Sequence, residues 1–550
     1  MELEARRSDP PGCDEVARYA EQLRLRLSGE EVEAYRDAVA DHLATFDRLG
    51  EFPEPTVALR HTHRAPGGPP ASGRQDPFRA IIRWCEVAGA RTGPLAGMTL
   101  GIKDCIAVAG IPTTGGGHRL PCPVPTEDAV VVERVLEAGA RIVAKTNMAD
   151  MSMGLGAGSG FGAVRNPHDV RFSAGGSSSG SGAAVAGGLV DLALGADQGG
   201  SIRIPAAWCG IVGMKPTYGL VPAHGLTHLE HSLDHIGPMT TTVADNALLL
   251  ETIAGGDWRD PHTDPDRSPG DYRGAAERGA EGLRIGVVTE SVDPHRCTPA
   301  TLEAFERARE VLAGAGAVLV PISIPLWSAG SVLVRVLTSF AMAARARSSG
   351  HTPGDLSRVD VHAEAAAAVH YHDGMRQLPF ALRTRLLAVA HLQETYGGAH
   401  LGYARNLRLE LRRQVERALA DVDLLVTPTT PAGPVRLPDG DPTQADSRAD
   451  VGVDASYNTC PFNLTGHPAL TLPCGFGEHR LPAGLQIAGR RFDEHTVYRA
   501  GFAFEAAAEL APWLLDQEGE DGSLLEVSQP AETGWDPVVS PHPASRTSGR

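Results

Sequence analysis

Two serine clusters, Gly175-Gly176-Ser177-Ser178-Ser179-Gly180-Ser181 and Gly199-Gly200-Ser201, carry the residue types that nucleophilic catalysis needs. Only three lysines, Lys103, Lys145 and Lys215, occur among 50 basic residues, and all three lie in this part of the chain. Arginine is effectively always charged, whereas a buried lysine can lose its proton and serve as a base. Serine is a weak nucleophile until an adjacent base takes its proton. A carbonyl turning tetrahedral gathers negative charge, and glycines let backbone N–H groups approach it closely. Lysine base, serine nucleophile and glycine-rich loop together describe acyl transfer at a carbonyl. On residue type alone, all three lysines are candidates for the base.

The elements that must hold these residues are short. The segments MTLGIKD and ARIVAKT read as buried strands on either side of the helix DAVVVERVLEAGA, and this βαβ-like alternation predicts an α/β core. Residues 181–195 form a small-residue helix-to-strand unit suited to close packing on a sheet. Helical patterns follow over 300–315, 329–348, 360–373 and 378–420. LLVTPTTP, PALTLPCGF and AGLQIAG then restore strand character. Near the N-terminus, residues 14–50 predict two helices, the second opened by a Ser28/Glu31 capping box, with a linker over 52–77. This divides the chain into an N-terminal helical region and linker (1–95), a catalytic domain (96–516) and an acidic, then Ser/Pro-rich tail (517–550) expected to be disordered.

Composition narrows the partners. A net charge of −17 disfavours nucleic acid and anionic membranes, which attract positive protein. The eight cysteines are scattered without a CxxC pair, and the N-terminal MELEARRSDPPG has no apolar signal-like core. A reduced, cytoplasmic protein is expected. His61, His63, His370 and His372 lack grouped carboxylate or cysteine ligands, so no metal is expected.

Gly101-Ile102-Lys103-Asp104, the serine cluster, Ala196 through Pro205, Gly213 through Gly219, and Gly484-Leu485-Gln486 belong together. At these residues, and above all in GGSSSGSGAAVAGGLVDLALGADQGGSIRIPA, the chain resembles the amidase signature family. The resemblance runs from about residue 96 to 505. It implies a large twisted mixed β-sheet flanked by helices on both faces. It also implies Ser201 as nucleophile, Ser177 as a bridging serine preceded by a cis peptide bond, and Lys103 as base. Backbone N–H groups of Gln198, Gly199, Gly200 and Ser201 would form the oxyanion hole, with Gly154 and Ser178 as substrate contacts. ADQGGSIRIPAAWCGIVGMKPTYGLVP, SLDHIGP and NTCPFNLTGHPALTLP are most similar to the amidases encoded beside nitrile hydratases, which implies a homodimer, a small-molecule amide substrate and no cofactor. One alternative is a glutamine-hydrolysing, A-type amidotransferase subunit; the other is a biosynthetic acyl-transferring amidase.

Three positions depart from the wider family: Leu155-Gly156, where small hydroxyl residues are common; His168, where Trp is common; and Ser179, often glycine. Gly176 through Gly180 also satisfies G-x-S-x-G, but VRFSAG is a poor strand to precede a nucleophile elbow. Lys145 and Lys215 are read as structural, at a strand end and in a turn. Asp197 and Arg203 are expected to pair and orient the oxyanion loop, and the helical stretch 329–400 to wall the substrate pocket.

Overall fold

The β-branched and aliphatic runs that read as strands enter one sheet. The computed structural model describes residues 9–70, 75–117, 122–154, 158–350, 356–373, 378, 380–438 and 454–508. Its strands are β1 (Arg64–Gly68), β2 (Ile81–Ala88), β3 (Thr99–Lys103), β4 (Arg141–Thr146), β5 (Arg165–Asn166), β6 (Asp169–Ser173), β7 (Leu192–Asp197), β8 (Val212–Lys215), β9 (His235–Thr240), β10 (Arg284–Val288), β11 (Val318–Ile322), β12 (Leu424–Pro428), β13 (Ala469–Phe476) and β14 (Pro482–Gly489). A 12-stranded sheet runs β1-β2-β4-β3-β7-β9-β8-β13-β14-β12-β10-β11, and β5 and β6 form a separate ribbon. The sheet is mixed, as the resemblance implied. β3 lies parallel to β4 and β7, and β10 lies parallel to β11 and β12.

Because β3 and β7 are parallel neighbours in register at Ile102 and Leu194, their C-terminal ends lie at one edge of the sheet. Ligands of α/β sheets bind outside such carboxyl ends. Lys103 ends β3 and Asp197 ends β7, so the sheet delivers this lysine and the start of the glycine loop to one place. The helix Ser179–Ala186 seats the serine cluster there. Gly180 allows its close packing, since a Cβ at that position would lie 2.2 Å from Ala80 O and 2.3 Å from Asn147 N. The apolar core around this helix includes Ala80, Ile81, Ala144, Ala183, Val190 and Ile202. A second core joins the helices Gly330–Arg347 and Ala399–Asp421 to β12 and the segment after Tyr457.

The N-terminal helices form at Cys13–Gln22 and Gly29–Asp47, the second with the Ser28/Glu31 capping box in place. The region beyond them differs from the sequence reading. β1 lies inside the expected linker, and β2 lies before residue 96, yet both belong to the main sheet. A boundary at residue 95 therefore cuts the sheet. β1 reads RAPGG, with proline and glycines that signal a turn, and it sits at the sheet edge, where such residues are tolerated. Residues 517–550 lie outside the described residues.

Candidate active site

Lys103 is fully buried at the end of β3. Its Nζ donates to Ser177 Oγ at 2.8 Å and to the Ala196 carbonyl at 3.2 Å. No carboxylate lies within ion-pair reach among the described residues. Burial disfavours the ammonium and lowers its pKa; the partial compensation comes from Cys105, Asp197 and Asp234. The Gly176–Ser177 peptide bond is cis. The N–H of Ser178 donates to the Ser201 carbonyl at 3.2 Å, which ties the Ser201 loop to the serine cluster. Ser201 itself is only half-buried, and it lies on the loop that this bond joins to the cluster holding Ser177.

Asp197 organises the loop that ends in Ser201. Its Oδ1 accepts from Gly200 N–H at 2.7 Å and its Oδ2 from Ile202 N–H at 3.0 Å. Arg203 donates from Nε to Asp197 Oδ2 and from Nη2 to Oδ1, both at 3.0 Å, with both side chains fully buried. Asn463 Nδ2 adds a donor at 2.8 Å. Burial alone would raise the carboxyl pKa, but the Arg203 charge and these hydrogen bonds hold it well below the usual range. Arg203 also donates to Thr459 O, Gln486 Oε1 and Asn463 Oδ1. Thr459 Oγ1 donates to Gly199 O at 2.6 Å. Gly200 sits at φ +127°, and a Cβ there would lie 2.2 Å from Thr459 Oγ1, so only glycine fits. The expected Asp197–Arg203 pair is present, and it is fully satisfied.

A family model described as Amidase matches residues 83–498. The chain belongs to the amidase signature family. The A-type subunit of the glutamyl-tRNA(Gln) amidotransferase of Exiguobacterium sibiricum is 38% identical over 445 residues, spanning 79% of this chain and 88% of that protein. The native peptide amidase of Stenotrophomonas maltophilia shares 31% identity at a TM-score of 0.62, over 78% of this chain and 89% of its own. A bacterial aryl acylamidase of the amidase signature family shares 26% identity at a TM-score of 0.67, over 80% and 91%. The protein is thus an amidase-family hydrolase acting on amide bonds. The match starts within β2, in keeping with a sheet that begins before residue 96.

Within this amidase fold, two expected site residues are used otherwise. Gly200 gives its N–H to Asp197, so the loop's donors left for an oxyanion among those expected are Gln198, Gly199 and Ser201. Ser178 is no substrate contact: it is fully buried, and its hydroxyl donates to Ala196 O and accepts from Ala196 N–H, so it pins the helix start to β7. Gly154 is exposed at φ +113°, next to Met153, whose sulfur lies 3.8 Å from Arg385 Nη1. Leu155 and Gly156 lie outside the described residues.

Lys145 donates to Ile106 O and Thr113 Oγ1 and lies 3.5 Å from buried Asp104. Lys215 donates to Pro216 O and contacts His235 Nε2 at 3.2 Å. His168 Nε2 meets Cys209 O at 3.0 Å, and Cys209 is buried with its thiol pKa pushed up by burial. No cluster of histidine, cysteine or carboxylate residues suited to a metal occurs among the described residues. Sequence reasoning missed Thr459 and Asn463, which touch the loop from far along the chain. NTCPFN marks their segment without giving them a role.

A cavity of about 230 Å³ lies close by, although Lys103, Ser177 and Ser201 do not themselves line it. Its wall includes Cys105, just beyond Lys103, and Met148, next to Ala149, whose N–H donates to Ser177 O at 3.2 Å. Met342, Ala346, Leu378 and Leu386 close another side, so the 329–400 stretch does wall a pocket. The helix Trp327–Arg347 is apolar and long enough to cross a membrane by composition, but most of it is buried in the protein body.

Proposed function

We propose that the protein is a self-sufficient amidase that hydrolyses a carboxylic acid amide to carboxylate and ammonia through a Ser201 acyl-enzyme. The observation that carries this reading is fully buried Lys103, 2.8 Å from Ser177 Oγ, with only hydroxyl and carbonyl partners among the described residues. When neutral, Lys103 Nζ accepts the Ser177 proton across that contact, while Ser177 Oγ accepts the proton of Ser201. Ser201 Oγ bonds to the carbonyl carbon, and the negative oxygen meets the N–H donors of the glycine loop. Collapse breaks the C–N bond, and the proton returns through Ser177 to the leaving nitrogen. Water then enters by the same proton route and releases the acid. ADQGGSIRIPAAWCGIVGMKPTYGLVP and its companion segments favour the nitrile-hydratase-associated subgroup.

A second reading is a glutamine-hydrolysing amidotransferase component. It is favoured by the 38% identity to the A-type subunit of a glutamyl-tRNA(Gln) amidotransferase, over most of that protein's length. The test is ammonia release by the purified chain from aliphatic, aromatic and amino-acid amides and from glutamine. Turnover of simple amides without a partner supports the first reading. Activity with glutamine alone, and only beside a partner protein, overturns it. Hydroxamate formation with hydroxylamine present would report the acyl-enzyme and its preference for an acceptor other than water.

A further inference from the structure

His228 enters the cavity in an unusual state. Its Nδ1 lies 3.1 Å from Asp234 Oδ2, and Asp234 is buried. The same Oδ2 accepts the backbone N–H groups of Leu229 and Glu230, at 2.9 and 3.1 Å. A carboxylate already accepting two N–H groups takes a third donor, so the proton of His228 sits on Nδ1. In the neutral ring Nε2 is then a bare acceptor. It has no hydrogen-bonding partner among the described residues, and the ring is part of the cavity wall.

Most other polar groups of that wall are engaged. Glu127 is paired with Arg358, and Asp360 accepts from Thr126 N–H and Oγ1. Thr113 accepts from Lys145, and Thr114 donates to Asp104. His224 is buried on the same wall, and burial lowers its pKa to about 4, which keeps the ring neutral. His228 therefore offers an unused nitrogen to a space whose apolar side is formed by Pro125, Met148, Leu229 and Met342, with Arg345 and Glu364 also on its wall. An apolar cavity of about 150 Å³ suffices to hold benzene, so 230 Å³ admits a ring and a few further atoms.

We propose that His228, oriented by Asp234, is the specificity-determining residue of this amidase, and that its Nε2 accepts a hydrogen bond from an N–H or O–H on the substrate's acyl part. The substrate class is then an amide with an apolar, ring-sized body bearing one such donor, as an amino-acid amide does. This rests on the amide-hydrolase reading for the identity of the cavity's occupant, while binding can be measured apart from turnover.

The test is calorimetric, at a pH where the α-amine of the probe is largely neutral. Affinities of phenylalaninamide and of 3-phenylpropanamide, which lacks the amine, are compared in Ser201→Ala protein and in the same protein carrying His228→Phe. One neutral hydrogen bond corresponds to roughly a 3- to 10-fold preference. Ser201→Ala should bind phenylalaninamide tighter by that factor, and His228→Phe should erase the preference while leaving 3-phenylpropanamide unchanged. Asp234→Asn, which lets the ring proton move to Nε2, should erase it as well, and serves as the readout if the phenylalanine variant fails to fold. An equal affinity for both amides in Ser201→Ala, a preference that survives both substitutions, or binding of neither amide overturns the proposal. A preserved preference without ammonia release by the intact chain overturns only the hydrolase reading.

Discussion

Lys103 and Lys145 sit on neighbouring parallel strands, both fully buried, one residue apart in register, yet they have opposite surroundings. Lys145 has a carboxylate, Asp104, at 3.5 Å and two further acceptors. Lys103 has a serine hydroxyl and a carbonyl. A buried ammonium beside a carboxylate is a structural cation, and removing either partner strands the other charge. A buried amine facing only neutral oxygens is pushed towards its free base. Burial is common to both. The partner decides which one can take a proton.

The sharpest way to break the comparison is Lys103→Met. It should lower kcat by at least about 10⁴-fold. Stability should hold or rise, because below the usual lysine pKa of 10.5 the unfolded chain binds a proton that the native site disfavours. Stability therefore increases with pH up to that value, and methionine removes the penalty. Assays paired with urea denaturation check both halves; a large stability loss would make Lys103 a structural cation.

Lys145→Met should do the reverse. Stranding the Asp104 charge should cost about 3–5 kcal/mol, read from the urea midpoint, with kcat per folded molecule far less affected than by Lys103→Met. A pH series sharpens the contrast. kcat/KM should rise about tenfold per pH unit until Lys103 is deprotonated, with the inflection below the usual lysine range, and the same profile should appear in Lys145→Met. The smallest effect belongs to Ser178→Ala, about 1 kcal/mol from the lost bonds to Ala196. KM should be unchanged in that variant, whereas a raised KM would restore Ser178 as a substrate contact.

Much of this was legible beforehand. The period of MTLGIKD and ARIVAKT located β3 and β4, and the capping box located the second N-terminal helix, because these signals are local. The edge strand RAPGG was not legible, since proline and glycine are tolerated there only through the sheet it joins. The glycine loop before Ser201 was partly legible. Its glycines declared close approach, but the engagement of Gly200 N–H by Asp197 depends on a fold that brings Arg203, Asn463 and Gln486 around one carboxylate.

By itself, then, the sequence determined which residues could react: three lysines, two serine clusters, and glycines where a carbonyl's charge would need backbone donors. Only the tertiary structure decided which lysine, free of a carboxylate, meets a serine hydroxyl, which serine hydroxyl is spent on a strand, and which histidine faces an open cavity. The physical reason is that residue type and short-range spacing set what a group is able to do. Burial and hydrogen-bond partners, supplied by segments far apart in the chain, set the protonation state in which it does it.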